Sequence, residues 1–359
     1  MYRAAILQEG GCGQVKRAHY IGPCWLSAIP LCLAVGALTA GVATAQTTPL
    51  GTGLDIEQYE PIPAIGANIL NVSTTRFPES FRPSASIHLN YADGSLTSAR
   101  VVEDEENTVR LVDERVSGEL AVSMAFFDIV SVGIAFPATL SQSGEDFSVI
   151  GRSGSINSSA MGDIRIVPKI RFWYPAATGG FGLHFFVPIH VPTGSADDYT
   201  SDEKVRVQPM LGLDYRDRDG LHLAVNAGVQ FRPERTTADF VGGSQARWSA
   251  GVEVPTNFEP LSIVATVYGS VQLAPNRNPE DLTQTGGVRH HTAEITAGFR
   301  VRALDAFSAT IAGGAAFAGH VGAPKFRFVT AIGYTPFGSA RDRDDDGVID
   351  LVDGCPNAA

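Results

Sequence analysis

Beyond its N-terminal stretch the chain has no apolar run approaching the roughly 18–20 residues that a membrane helix needs. A helical membrane domain is therefore excluded from the body of the sequence. Cysteine is scarce, with four in 359 residues: Cys12, Cys24, Cys32 and Cys355. Three of these sit in the first 45 residues, so neither a disulfide framework nor a Cys/His structural metal site fits the rest. Positive charge is short as well. Lys and Arg total 27 against 38 Asp and Glu, and the formal net charge of −11 disfavours nucleic acid, whose phosphates need a basic surface. Helical period is nearly missing between Phe81 and Phe337. No glycine-rich loop follows a strand and opens a helix, so nothing indicates a nucleotide site.

The N-terminus reads as an export signal. Lys16 and Arg17 precede an apolar stretch from Ile21 to Val42, which ends in the small-x-small triplet Ala43-Thr44-Ala45 before Gln46. A single membrane anchor is the competing reading, but Pro23 and Pro30 interrupt the stretch and small residues crowd its end. Neither Cys24 nor Cys32 sits in a good lipoprotein acylation box. Residues 1–45 are thus expected to be a cleaved signal peptide, leaving Cys355 alone. Residues 46–80, with Pro61, Pro63 and few strand signals, are expected either to plug a lumen or to stay periplasmic.

What the chain does have, from 81 to 338, is two-residue alternation. Leu221, Leu223, Val225, Ala227, Val229 and Phe231 share one face, against His222, Ala224, Asn226, Gly228, Gln230 and Arg232 on the other. The same pattern recurs in 164–174, 181–191 and 205–216. Scoring such segments gives about twelve strands of roughly ten residues, the length a tilted strand needs to cross a bilayer. They fall near 81–92, 108–127, 129–142, 160–174, 181–192, 204–216, 221–232, 244–254, 261–272, 289–302, 307–319 and 325–337. Short links at 127–128, 176–180, 217–220, 255–260 and 303–306 alternate with longer polar loops at 93–107, 143–159, 193–203, 233–243 and 273–288. The link at 320–324 should be long and is short. Short turns on one side and long loops on the other are the signature of an outer-membrane barrel. A spanning sheet must close on itself, because lipid offers no partner to an open edge. The expected fold is all-β, a transmembrane antiparallel up-and-down β-barrel in the cell outer membrane, with bilayer lipid as its partner. Alternation alone cannot separate this from a soluble barrel with its apolar face inside. Aromatics near inferred strand ends (Phe172, Trp173, Tyr174, Phe181, Tyr215, Tyr334 and Phe337) suit interface girdles.

On this register the lumen is lined by Arg165, Lys169, Arg171, Arg206, Arg300, Arg302 and Arg327, with Asp214 and Glu294 as the acids. Such a lining would favour anions. His184, His190 and His222 share that face, and Ser262 and Asp214 are candidate neighbours, but the sequence does not make a Ser-His-Asp site converge. The pair His290-His291 is a weak metal candidate. No catalytic residue is assigned and no enzyme is expected. A structural envelope barrel is the leading reading. A narrow channel or transporter for small solutes, anions included, is the alternative, and a barrel-embedded hydrolase is third.

After the last strand, Asp342, Asp344 and Asp346 alternate ahead of Gly347, the spacing by which a calcium loop converges carboxylates on one hard cation. Asp350 and Asp353, with the Val348 carbonyl, would complete the oxygen shell around Ca2+. The run from Asp342 to Cys355-Pro356 resembles the thrombospondin type 3 repeat. In Gram-negative envelopes similar repeats join a barrel to a peptidoglycan-binding domain of the outer-membrane protein A type. Gly162-Asp163-Ile164, the run Val187–Gly194 and the ending Gly333–Phe337 make the barrel similar to myxobacterial-type barrels of that family. The resemblance implies a periplasmic tail at 341–359, a link to peptidoglycan through a downstream domain, and a partner for Cys355 in a following repeat.

Overall fold

A computed structural model describes residues 54–102, 105–146, 155–175, 179–237, 240–258, 260–273, 290–304, 306–319 and 321–337. The expected signal peptide and the calcium ligands Asp342, Asp344, Asp346, Val348, Asp350 and Asp353 lie outside the described residues. Among the described residues there are seventeen strands: β1 (Pro83–Val102), β2 (Glu105–Phe126), β3 (Val130–Ser143), β4 (Ala160–Met161), β5 (Ile164–Trp173), β6 (Gly180–Phe186), β7 (Ile189–Val191), β8 (Arg206–Val207), β9 (Met210–Arg216), β10 (His222–Gln230), β11 (Arg235–Thr237), β12 (Phe240–Gly242), β13 (Gln245–Pro255), β14 (Leu261–Gln272), β15 (His291–Ala303), β16 (Phe307–Ala318) and β17 (Phe326–Tyr334). The small hairpin β11–β12 stands apart from the main sheet. Three staves are each written in two pieces, β4/β5, β6/β7 and β8/β9, so the main sheet has twelve staves. Val187-Pro188 and Gln208-Pro209 cause two of these breaks, because proline has no N–H to give the ladder.

Every neighbour is antiparallel, and the sheet closes. Ala85 of β1 sits opposite Val122 of β2 on one side and Tyr334 of β17 on the other. At one end the connections are tight, at 127–129, 174–179, 217–221, 256–260 and 304–306. At the opposite end all but the first and last are long: 103–104, 144–159, 192–205, 231–244, 273–290 and 319–325. In outer-membrane barrels the tight turns face the periplasm.

The expected loop at 93–107 is instead strand. β1 and β2 stay paired out to Val102↔Glu105, with a register shift after Asp93. Gly94, at φ +69°, supplies the left-handed turn that the irregularity needs. The polar run Asp93-Gly94-Ser95 hid the extension, because it breaks the apolar/polar alternation.

Burial settles which face is which. Leu223 and Val225 are 41% and 52% exposed, while Ala224 and Asn226 between them are 3% and 2% exposed. Ile87, Leu120, Leu211, Ile263, Phe299 and Ile311 repeat this outward exposure around the wall. The apolar face is outside and the polar face inside, the reverse of a soluble barrel. Aromatic pairs gather at the tight-turn end: Phe81 with Phe127 at 5.1 Å, Phe181 with Tyr215 at 5.1 Å and Phe307 with Tyr334 at 5.1 Å between centroids. Phe337 is not part of this belt; its ring lies 3.9 Å beneath the Arg76 guanidinium.

Candidate functional site

The lumen is occupied by the chain itself. Residues 54–80 carry no regular structure beyond one 3-10 turn, Ile65–Ala67, yet nearly all of them are buried. Leu54 and Ile56 pack with Leu96, Leu111, Val112, Ile156 and Tyr199 at the long-loop mouth. Ser80 meets Asp128 at the tight-turn rim, its Oγ donating over 2.6 Å. The segment therefore runs the length of the barrel before entering β1.

Lumen-facing glycines make room for it. A Cβ on Gly333 would fall 2.3 Å from Ile65 Cγ2, and one on Gly182 would fall 2.4 Å from Thr75 Oγ1. Polar side chains of the wall hold the segment at short intervals. Arg206 pairs with Asp55, and Arg232 donates to the Asp55 carbonyl at 3.0 Å. Arg327 reaches Glu57 at 3.0 Å, and Arg247 reaches the Gln58 side chain at 2.7 Å. Arg300 donates to the Asn68 carbonyl at 2.9 Å, and Lys169 to that of Thr74 at 3.0 Å. Asn226 accepts from Ser73 N at 2.7 Å and returns a bond to its carbonyl at 3.0 Å. Asp214 accepts from Thr75 N at 2.9 Å. A segment without its own ladder has its backbone groups satisfied in this way.

The residues that alternation assigned to the lumen all lie there, but not as an uncompensated basic lining. Arg165 is paired with Glu119 at 2.9 Å and donates to the Pro61 carbonyl. Arg206 faces Asp55, Asp163 and Asp202; Arg300 and Arg302 share Glu253; Arg327 bonds Glu294. Lys169 and Arg171 meet the segment's carbonyls, and Asp214 meets Thr75. The expected excess of positive charge is thus corrected by acids the sequence reading missed: Asp55, Glu57 and Glu60 from the segment, and Glu119, Asp163, Asp202 and Glu253 from the wall and loops. Glu119 and Glu253 were findable, since each continues the inward alternation of its strand. The segment's acids had no period to announce them.

The histidine candidates resolve differently from expectation. His184 and His222 do approach Asp214, with His222 Nε2 at 3.0 Å and His184 Nδ1 at 3.8 Å. The serine beside His184 is Ser73, at 3.0 Å, while Ser262 lies by Arg302. The 3.8 Å gap is too long for the orienting bond of a catalytic triad, and Ser73 is fully buried. This cluster secures the segment. His290 and His291 line a small cleft near the long-loop mouth with Gln272 and Arg232. Among the described residues no group of three or more His, Cys, Asp or Glu is placed to hold a metal.

A larger cleft remains between the segment and the wall formed by β1, β2, β3 and β5. Tyr59, Pro61 and Pro137 give it apolar faces, and His88, Glu119, Arg165 and His190 give it polar ones. Tyr59 Oη, His88 Nδ1 and His190 Nε2 have no hydrogen-bond partner among the described residues, so polar valences remain within this part of the lumen.

A closed barrel with an apolar exterior and a lumen filled by its own leading segment is an outer-membrane β-barrel protein. The chain belongs to the family described as "Putative MetA-pathway of phenol degradation", whose profile matches residues 90–323. Among solved structures it is similar to an outer-membrane channel from Pseudomonas putida F1, at a TM-score of 0.51 and 12% identity over 78% of this chain and 99% of that one. It is also similar to the NanC porin (TM-score 0.44, 9% identity, 70% and 98% covered) and to the CymD monoaromatic hydrocarbon channel (0.39, 12%, 80% and 98%). No curated protein matches it.

Proposed function

We propose that the protein is a narrow outer-membrane channel for small molecules, with compounds the size of a single aromatic ring as its cargo. The observation that carries this is the lumen: the segment at 54–80 fills most of it but leaves a cleft with both ring-facing and hydrogen-bonding groups. The family's description, which names phenol degradation, points to the same class of solute. A structural envelope barrel would have no use for such a cleft, so the channel reading displaces it as the leading one. The test is single-channel recording in planar bilayers. The full chain should show small, discrete conductance steps. Asp55→Asn combined with Glu57→Gln loosens the segment at the long-loop mouth and should raise the step size several-fold. Silence from both proteins, with the barrel shown to be folded, overturns the reading.

A second reading concerns the tail and is supported by the aspartate spacing alone. In it, Asp342, Asp344, Asp346, the Val348 carbonyl, Asp350 and Asp353 bind calcium, and the tail extends the barrel toward the cell wall. Calcium should then protect residues 342–353 of the full chain from proteolysis, and chelation should remove that protection. Asp344→Ala should abolish it, whereas a change at Asp345, off the alternating set, should not. Equal cleavage with calcium and with chelator sinks the assignment.

A further inference from the structure

Most lumenal arginines have a carboxylate, as Arg206, Arg232, Arg300 and Arg327 do. Arg115 and Arg247, toward the long loops, bond amide and carbonyl oxygens instead. At the tight-turn end Arg76, Arg171 and Arg216 form no salt bridge among the described residues. Arg171 instead donates to the carbonyls of Thr75 and Asp128, and Arg216 donates to the Tyr174 hydroxyl. The acids around them are engaged elsewhere: Glu253 is shared by Arg300 and Arg302, Asp214 is taken by Thr75 and His222, and the Asp128 carboxylate accepts from Ser80 Oγ.

Two of these guanidiniums share one ring, Arg171 at 4.4 Å and Arg216 at 5.2 Å from the Tyr174 centroid. Arg76, Arg171, Arg216 and Arg302 are each only partly buried. Aromatic rings flank it: Arg171 lies 4.7 Å over Phe77 and 4.4 Å over Tyr174, and Arg76 lies 3.9 Å over Phe337. Stacking leaves the N–H edges of a guanidinium available, because its donors point outward in the plane.

We infer that the tight-turn end of the lumen is a binding site for a small organic carboxylate, held by Arg76, Arg171 and Arg216. A planar fork matches a carboxylate in two parallel bonds, and three cations without a salt bridge favour an anion. Phe77, Tyr174 and Phe337 supply an apolar surface for the body of the molecule, which a bare inorganic anion would not use. The inference deepens the channel reading, since it places this site at the exit of the path.

The experiment is calorimetric titration of the full-length protein in non-ionic detergent, with benzoate, benzyl alcohol and inorganic phosphate as probes. Benzoate should bind, and the uncharged alcohol should bind at least tenfold more weakly, the scale of one lost charge-assisted contact. Arg76→Gln with Arg216→Gln should weaken benzoate by roughly tenfold or more, while Arg76→Lys should lose less. The wild-type comparison needs no variant, so a misfolded mutant leaves the question decided. Equal binding of benzoate and benzyl alcohol overturns the inference, and phosphate binding as tight as benzoate overturns its carboxylate assignment. Binding is read without transport: benzoate affinity with no conductance keeps this site and removes the channel, and conductance without affinity does the reverse.

Discussion

The wall and the segment it encloses solve the same problem by opposite means. In the wall, backbone groups are satisfied by ladders between strands, and side chains are free to alternate between lipid and lumen. In residues 54–80 there is no ladder, and wall side chains such as Arg300, Asn226 and Asp214 reach in to the backbone. The wall is therefore tolerant of side-chain change wherever polarity is kept, while the segment depends on particular residues across from it. The difference teaches that the lumen of this barrel is a packed core in which charge works beside apolar contacts such as those of Ile69, Leu70 and Val72.

That contrast can be broken at Glu253. It is the shared acid of Arg300 and Arg302, and Arg300 also holds the Asn68 carbonyl. Glu253→Ala leaves buried cations without a partner and should cost about 3–5 kcal/mol. Urea unfolding in lipid vesicles measures this, and a loss under about 1 kcal/mol would mean the lumen is wetter than its burial implies.

The next largest effect compares adjacent residues on one strand. Val225→Arg places a charge in lipid near mid-membrane and should cost roughly 2–4 kcal/mol. Asn226→Ala strips the partners from Ser73 N and O and should cost about 1–3 kcal/mol, because both groups are buried. The two should also differ in kind. The first lowers stability without opening the lumen, whereas the second raises conductance. Identical conductance in both variants would deny that Asn226 holds the segment.

The smallest effect belongs at the rim. Glu79 and Arg82 pair at 2.7 Å with both side chains well exposed. Glu79→Gln should therefore change stability by less than about 1 kcal/mol. A larger loss would show that the segment's final turn is held as firmly as its middle.

Much of the wall was legible in the sequence. Val205–Arg216 and Leu221–Arg232 alternate so regularly that their strands, faces and tight link follow from period alone. The breaks at Pro188 and Pro209 were not legible because the alternation runs through both prolines, and the extension of β1 and β2 past Gly94 was not because a polar hairpin looks like loop. The lumenal arginines were found, but their partners were not. Asp55, Glu57 and Glu60 lie in a stretch whose conformation is dictated by the wall around it, and no local pattern reports that. The likeness to the outer-membrane protein A type remains a sequence resemblance, resting on short runs such as Gly333–Phe337.

The seam of the barrel carries a further consequence for assembly. It joins β1 to β17, and the segment attaches directly to it: Glu79 N donates to the Pro336 carbonyl at 2.8 Å, and Gly66 N to Thr335 Oγ1 at 3.3 Å. Once the seam is zipped, a chain studded with Asp55, Glu57 and Glu60 would have to shed its hydration to be pushed through a closed ring. The order of events is thereby constrained: the leading segment must already lie across the open sheet when its last strand arrives. The final strand then closes over residues that were synthesised before any strand of the wall, and the barrel is born with its contents inside.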